Sequence, residues 1–353
     1  MTTGAPTRSQ RSDAIDAVRG VAILLVVSLH WFELPFGWSG VDLFFVLSGY
    51  LIGGILIDNR DSPAYFRTFY ARRCFRIVPL YLLFLVVTVT SFKGELPLWR
   101  YLTFTQNFAW VPTSLIGAGP RGLTWSLAVE EQFYLILPAM IWLLPNRRLL
   151  FLSAGLVIAA PFCRWLLIQT SGIYAPYLLL PGRMDMLFAG VLVACLVRDP
   201  VMRDAVRRRI AIVLLLSCGA FAGFLALGIV AGFYPASFHM YMLGYSLICV
   251  SYGCAVLAVA VREQQSVKHK LLCATGIAAY SIYLCHQIVL AVVLDIVGPM
   301  TLTTSLATIL GTAGVAAACW FLVERPLIQF ARTRWRYGDA PRLPSLAPAA
   351  SPP

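Results

Sequence analysis

Charge is what this sequence has least of. Only 12% of its 353 residues are Asp, Glu, Lys or Arg, about half the share of an ordinary globular chain. With 59% hydrophobic residues and a mean hydropathy of +0.77 it lacks the polar side chains needed to cover a water-facing surface. That excludes a soluble domain and implies lipid. Acid is scarcer than base: 16 Asp+Glu stand against 28 Lys+Arg, a net charge of +12. On a soluble domain that excess would raise nucleic acid; here its placement along the chain decides. The nine cysteines lie mostly in apolar runs, with no C-x-x-C pair and no His at ligand spacing. Neither a disulfide scaffold nor a zinc site is expected, and no metal is assigned. The first dozen residues are polar, and no small-residue cleavage site follows a short apolar stretch. The first long apolar run therefore reads as a retained helix rather than a signal peptide.

A hydrocarbon layer about 30 Å thick takes about 20 apolar residues per helix. Ten such runs occur, near 17–34, 40–57, 75–92, 124–145, 149–170, 178–197, 210–230, 239–261, 271–294 and 302–323. The expected fold is an all-α, polytopic membrane helix bundle of about ten transmembrane helices. Residues 1–12 read as a disordered cytoplasmic tail, 13–330 as the membrane domain, and 331–353 as a basic, then Pro/Ala-rich, cytoplasmic tail. An even number of spans puts both termini on one side. Of the 28 Lys+Arg, 22 fall in the two tails and the alternate connections; the opposite side holds Lys93, Arg100 and Arg121, and Arg19, Arg164 and Arg183 fall inside spans. By the positive-inside rule both termini are cytoplasmic. Anionic lipid headgroups absorb the excess positive charge, so no nucleic acid partner is expected.

The longest connection, about 93–123, is rich in Trp, Phe, Pro and Gly and reads as a lid or a re-entrant segment. Its Gly117, Gly119 and Gly122 spell G-x-G-x-x-G formally, but Pro120 interrupts the pattern and no strand precedes it. The glycines read as a turn.

An ionisable side chain at membrane depth costs several kcal/mol unless paired or hydrated, so each is a functional candidate. Arg19 and His30 are eleven residues apart on the first span, almost three turns. They share one face, separated by roughly 16 Å along the axis, with the cation near the cytoplasm and the imidazole near the outside. Asp42 enters the second span at the level of His30. Glu130 and Glu131 lie one to two turns below the outer surface on the fourth, about 100° apart around the helix. One of the two is expected to face the interior and the other to bind a cation such as Arg164 or Arg183. The sixth span adds Arg183 and Asp185, and the ninth brings His286 and Gln287 toward the outer half. Asp16 stands at i, i+3 spacing from Arg19 and can pair with it.

The segments DAVRGVAILLVVSLH, GVDLFFVLSGYLIGGIL, FYARRCFRIVPLYLL, TWSLAVEEQFYLILP, GRMDMLFAGVL, SIYLCHQIVL and VERPL occur in that order. This succession resembles the acyltransferase 3 family of integral membrane O-acyltransferases over about residues 12–330. Arg-x10-His alone is a weak signal; together with Ser-Gly-Tyr, Arg-Arg-x-x-Arg-Ile-x-Pro and Trp-Ser-Leu-x-x-Glu-Glu it is a strong one. The resemblance implies movement of an acyl group, commonly acetyl, from cytoplasmic acyl-CoA to a sugar hydroxyl of polysaccharide, lipopolysaccharide, peptidoglycan or a macrolide. It further implies a bacterial inner (plasma) membrane, with a glycan or glycosylated small molecule and membrane lipid as partners. Arg19 and His30 match the family's essential motif, and Arg72, Arg73 and Arg76 its basic cytoplasmic segment. Some members append an outer hydrolase-like domain with no counterpart in these residues, so transfer is expected from the membrane part alone or with a partner.

Acyl transfer needs a general base, a stabilised oxyanion and a held thioester. On this reading His30 is the base, with Asp42 or Glu130 accepting its other N–H to fix the tautomer. Arg19, Arg72, Arg73 and Arg76 hold the CoA phosphates, for which guanidinium forks are suited. Glu131, Arg183, Asp185 and His286 are assigned to acceptor binding. Direct transfer and an acyl-His30 intermediate both stay open. The rival class is a proton-coupled transporter or flippase, which also needs intramembrane carboxylates and histidines. No internal repeat or pair of matching broken helices favours it. Acceptor identity, acyl length and oligomeric state have no signature in these residues.

Overall fold

The computed structural model describes residues 13–92, 96–113, 118–262 and 269–338. The tail expected at 1–12, the chain beyond 338, and Lys93, Gly117 and Lys268 lie outside those residues. The regular structure described is helical throughout, and ten segments are long and apolar enough to cross a membrane. Their helices are α1 (Asp13–Phe32), α2 (Ser39–Asp58), α3 (Tyr65–Ser91), α4 (Thr124–Leu143), α5 (Asn146–Ser171), α6 (Leu180–Arg198), α7 (Ile210–Ala231), α8 (Tyr245–Val261), α9 (Ala279–Val297) and α10 (Leu302–Cys319). A 3₁₀ turn, Gly119–Leu123, leads into α4; π turns Met240–Gly244 and Trp320–Glu324 precede α8 and follow α10. The chain is a multi-pass membrane protein. Leu, Ile and Phe side chains that would be misplaced in water coat its outside. In α7 only Ser217, Phe224 and Gly228 are buried, the pattern of a helix that faces lipid almost all round.

The ten spans lie where the hydropathy places them, with three differences at the edges. Helix α3 begins at Tyr65, well before the apolar run that starts near 75. Arginine is a good helix former, so Arg67, Arg72, Arg73 and Arg76 break the apolar pattern without breaking the helix. The ninth run divides at Ala278 into Lys270–Ile277 and α9. The shorter piece crosses α1 in backbone contact: a Cβ on Gly276 would lie 1.7 Å from the Asp16 carbonyl oxygen. Beyond α10 a further helix, Arg325–Arg334, runs through the domain boundary expected at 330. Thr68 Oγ1, Ser62 Oγ and Arg72 Nε donate to the carbonyls of Arg336, Tyr337 and Trp335, which tie this final segment back onto the start of α3.

The centre of the bundle is the parallel pair α2 and α6. Most of α6 is buried. The two backbones touch at glycine: a Cβ on Gly49 would lie 1.9 Å from Leu187 O, and one on Gly190 would lie 2.1 Å from Val46 O. Asp42 precedes Gly49 by seven residues, and Arg183 precedes Gly190 by seven. Two turns back from the crossing, each helix therefore presents its charge to the other. Arg183 Nη2 donates to Asp42 Oδ1 at 2.5 Å, with both side chains buried. At the other end of the pair, Arg198 grips Asp58 through two bonds of 2.6 Å.

Candidate functional site

Among the described residues, a larger and a smaller cavity open side by side within the bundle, with part of their lining in common. The larger, about 410 Å³, lies toward the end at which α1 and α3 begin. Four guanidinium-bearing residues line it: Arg19 of α1, Arg73 and Arg76 of α3, and Arg332 of the final helix. Two acids, Asp16 and Glu130, share the lining. Glu130 of α4 lines the same cavity and accepts 2.6 Å from Ser48 Oγ, which in turn accepts 3.1 Å from the Tyr134 hydroxyl. The Arg73 guanidinium lies 5.6 Å from the centre of the Tyr134 ring, within cation–π range. Asp16 pairs with Arg19 at 3.4 Å, the i, i+3 contact read from the spacing. Below the charges, Phe44, Phe45, Leu47 and Ile77 make the walls apolar.

The smaller cavity, about 210 Å³, is lined by His30, His286 and Gln287 together with Trp38, Trp125 and Tyr177. Gly119, Gly122 and Leu123 of the 3₁₀ turn close one side, so the long loop contributes wall to it. The rings of His30 and His286 are 5.2 Å apart, tilted by 39°. Gln287 Nε2 lies 3.1 Å from His30 Nε2. His286 Nδ1 lies 2.8 Å from Tyr283 O and 3.2 Å from Ile282 O. Carbonyls only accept, so Nδ1 carries the proton and Nε2 is left as the acceptor. Among the described residues, that buried Nε2 has no hydrogen-bond partner.

The two cavities share a wall. Val41 and Tyr283 line both. The Tyr283 hydroxyl is 2.6 Å from Ser126 Oγ, whose residue lines the larger cavity, and 2.9 Å from Leu123 O, whose residue lines the smaller.

Several expectations are corrected by this arrangement. Asp42 does not orient His30, because the glycine contact between α2 and α6 turns it onto Arg183. Glu130 does not either; it belongs to the guanidinium-lined cavity. Gln287, one turn beyond Tyr283, stands beside His30 in place of a carboxylate. Arg183 and Asp185 are not cavity residues. Arg183 is enclosed by rings, with Tyr245 at 4.3 Å, Tyr177 at 5.4 Å, Trp125 at 5.6 Å and Phe45 at 5.7 Å. Asp185 pairs at 2.6 Å with the fully buried Arg164, whose other bonds go to Tyr241 O, Gly182 O and Ser246 Oγ. Both arginines are thus committed to aspartates, and neither takes Glu130 or Glu131. Glu131, on the neighbouring face of α4, lines neither cavity. Arg72 leaves the site as well: its Nε donates to Trp335 O at 2.9 Å and its guanidinium lies over the Tyr337 ring.

The residue order can now be set beside known proteins. The family model of the acyltransferase domain, acyltransferase 3, matches residues 12–324. The chain belongs to the acyltransferase 3 family. Among curated proteins it is similar to O-acetyltransferase OatA of Staphylococcus aureus (strain NCTC 8325 / PS 47), at 28% identity over 89% of this chain and 56% of that protein. Peptidoglycan O-acetyltransferase OatA of Listeria monocytogenes is 32% identical over 40% of this chain and 27% of its own length. Putative peptidoglycan O-acetyltransferase YrhL of Bacillus subtilis is 36% identical over 35% and 23%. The chain spans little more than half the length of the S. aureus relative and less of the other two. No solved structure matches.

Within this member of the acyltransferase 3 family, the Arg19 to His30 spacing carries the two residues into different cavities on one helix face. Sequence reasoning missed Arg332, which sat in a presumed tail. It also missed Tyr283, although Tyr283, His286 and Gln287 at i, i+3 and i+4 form one helical face and were legible as such.

Proposed function

We propose that this protein is an O-acyltransferase that moves an acyl group, acetyl first among candidates, from acyl-CoA to a hydroxyl of a peptidoglycan-type glycan. The observation that carries the proposal is the pair of abutting cavities, one lined by guanidiniums and the other by imidazoles. The basic end is cytoplasmic on the positive-inside argument, in a bacterial plasma membrane, with both termini on that side. Arg19, Arg73, Arg76 and Arg332 hold the phosphates of the donor. The apolar walls below them take the thin pantetheine arm, which brings the thioester to the level of Tyr283. The glycan hydroxyl enters the smaller cavity from the other side.

His30 removes the hydroxyl proton as the oxygen attacks the thioester carbonyl carbon. The C=O pair moves onto oxygen, then returns as the C–S bond breaks. The thiolate leaves and takes the proton from His30. Gln287 holds the His30 ring, and the unpartnered Nε2 of His286 accepts a hydrogen bond from the sugar. The Gln287 amide N–H donates to His30 Nε2, so that nitrogen carries the lone pair and Nδ1 the proton, and the entering hydroxyl takes the place of the amide at Nε2.

Two measurements test this reading. Purified protein given acetyl-CoA and peptidoglycan fragments releases free CoA thiol in proportion to glycan; a transporter releases none, and that result would remove the proposal. Replacing Arg332 with Ala, or Arg19 with Lys, raises the donor KM about 10-fold to 100-fold, the loss of one charge-assisted phosphate contact, and leaves the glycan KM unchanged. An unaltered donor KM in both variants would show that the phosphates sit elsewhere.

A further inference from the structure

We propose that Tyr283 is a catalytic residue, the hydrogen-bond donor to the carbonyl oxygen of the transferring acyl group as that oxygen becomes an oxyanion. The inference rests on the acyl-transfer reading and supplies a part that neither the sequence motif nor the histidines provide.

A thioester held in the guanidinium-lined cavity and a hydroxyl held in the imidazole-lined cavity can react only at the wall the two spaces share. That junction is bounded by Val41 and Tyr283, the residues common to both linings. Valine has nothing to donate. Tyrosine has one O–H, and here it stands between Ser126 of one wall and the Leu123 carbonyl of the other, at 2.6 and 2.9 Å. Both Tyr283 and Ser126 are buried, so no bulk water competes at this point. The positive residues cannot do the work. Arg19, Arg73, Arg76 and Arg332 line only the larger cavity, and Arg183 is closed inside its ring of aromatics and bound to Asp42.

The hydroxyls of Tyr283 and Ser126 are two donors facing one another and the Leu123 carbonyl. With Ser126 donating to the Tyr283 oxygen, the phenol is a stronger donor toward a third oxygen. When the thioester carbonyl arrives, the phenol proton turns from Leu123 O to the substrate oxygen. No proton changes owner in that turn. Charge that accumulates on the carbonyl oxygen during attack then meets a donor already in place, in a site shielded from water, where such a bond is strongest. The same α9 face that carries Tyr283 carries His286 and Gln287 one turn on. Oxyanion donor and base are thereby fixed to one another through a single helix and its contact with His30.

The experiment is Tyr283→Phe, which keeps the ring and therefore the wall between the cavities. Glycan-dependent CoA release is measured on detergent-purified protein, with the elution profile as a check of folding. The expected result is a kcat about 100-fold to 1,000-fold below wild type, the loss typical of one oxyanion donor, with the donor KM unchanged. Ser126→Ala lowers kcat less, since the phenol remains. Incorporation of 3-fluorotyrosine at 283, a more acidic phenol of nearly the same size, retains kcat within a few-fold of wild type. A Tyr283→Phe protein with wild-type kcat overturns the assignment, and so does one whose loss appears as raised donor KM at unchanged kcat. Should Tyr283→Phe not elute as folded protein, a fluorotyrosine protein as slow as an inactive control overturns it instead. These failures differ from failure of the acyl-transfer reading, in which the unaltered protein itself releases no glycan-dependent CoA.

Discussion

His30→Ala abolishes acyl transfer while the protein still inserts and elutes as the wild type does. General-base catalysis contributes about 10²-fold to 10⁴-fold, and no other group in the smaller cavity can take over at the same place. His286 is the nearest substitute, with its ring centre 5.2 Å away. Its Nδ1–H is engaged by two carbonyls one turn back, which fix the ring against its own helix. Truncating His30 removes a partly buried ring from the cavity wall rather than from the packed core, so the cost in stability is small. Donor binding should survive as well, because the guanidinium cavity is built from other residues. The measurement is glycan-dependent CoA release beside binding of acetyl-CoA to the same preparation. Near-wild-type turnover by the alanine variant would remove His30 from the chemistry. Loss of donor binding along with turnover would mean that the two cavities are not the independent spaces described above.

Asp42→Ala is expected to cost the folded state about 3–5 kcal/mol, the penalty for stranding one member of a buried ion pair. Arg183 would keep its charge inside a cage of four aromatic rings with its ion-pair partner gone. Two of those rings, Trp125 and Tyr177, lie 4.4 Å apart and also line the smaller cavity, so activity falls together with stability. Joint replacement of Asp42 and Arg183 by Leu and Met restores much of the lost stability, because a buried pair and an apolar packing of similar volume differ little. Thermal stability in detergent, read from the fraction eluting intact after heating, separates the cases. A single Asp42→Ala variant as stable as wild type would mean that water or another anion reaches Arg183.

Both expectations depend on telling a charge that reacts from a charge that packs, and there the sequence is least informative. The ten spans were legible because lipid enforces long apolar runs, and two of the three exceptions arose where arginine continues a helix outside such a run. Arg19, His30 and His286 were found because a polar group at membrane depth is conspicuous, and Arg73 and Arg76 because they match the basic cytoplasmic segment of the family. The same rule drew in Asp42, Arg183 and Asp185, which are equally conspicuous and serve the packing of α2, α5 and α6. Hydropathy reports the depth of a residue but not its direction around the helix axis. That direction is set by contacts such as Gly49 against Leu187, seven residues from Asp42 in sequence and unreadable without the partner helix. Arg332 was hidden for a related reason. A basic stretch after the last apolar run reads as a solvated tail, and only the bonds from α3 to Trp335, Arg336 and Tyr337 bring it home.

That last contact has a consequence for biosynthesis. The guanidinium cavity draws Arg19 from the first of the ten spans and Arg332 from beyond the tenth, so all ten must leave the ribosome before the set is complete. A chain still being inserted can bury its central helices and seat its imidazoles, yet its set of four guanidiniums is unfinished until residues 325–337 dock. On the proposed acyl-transfer function, thioester turnover is thereby withheld from half-made protein.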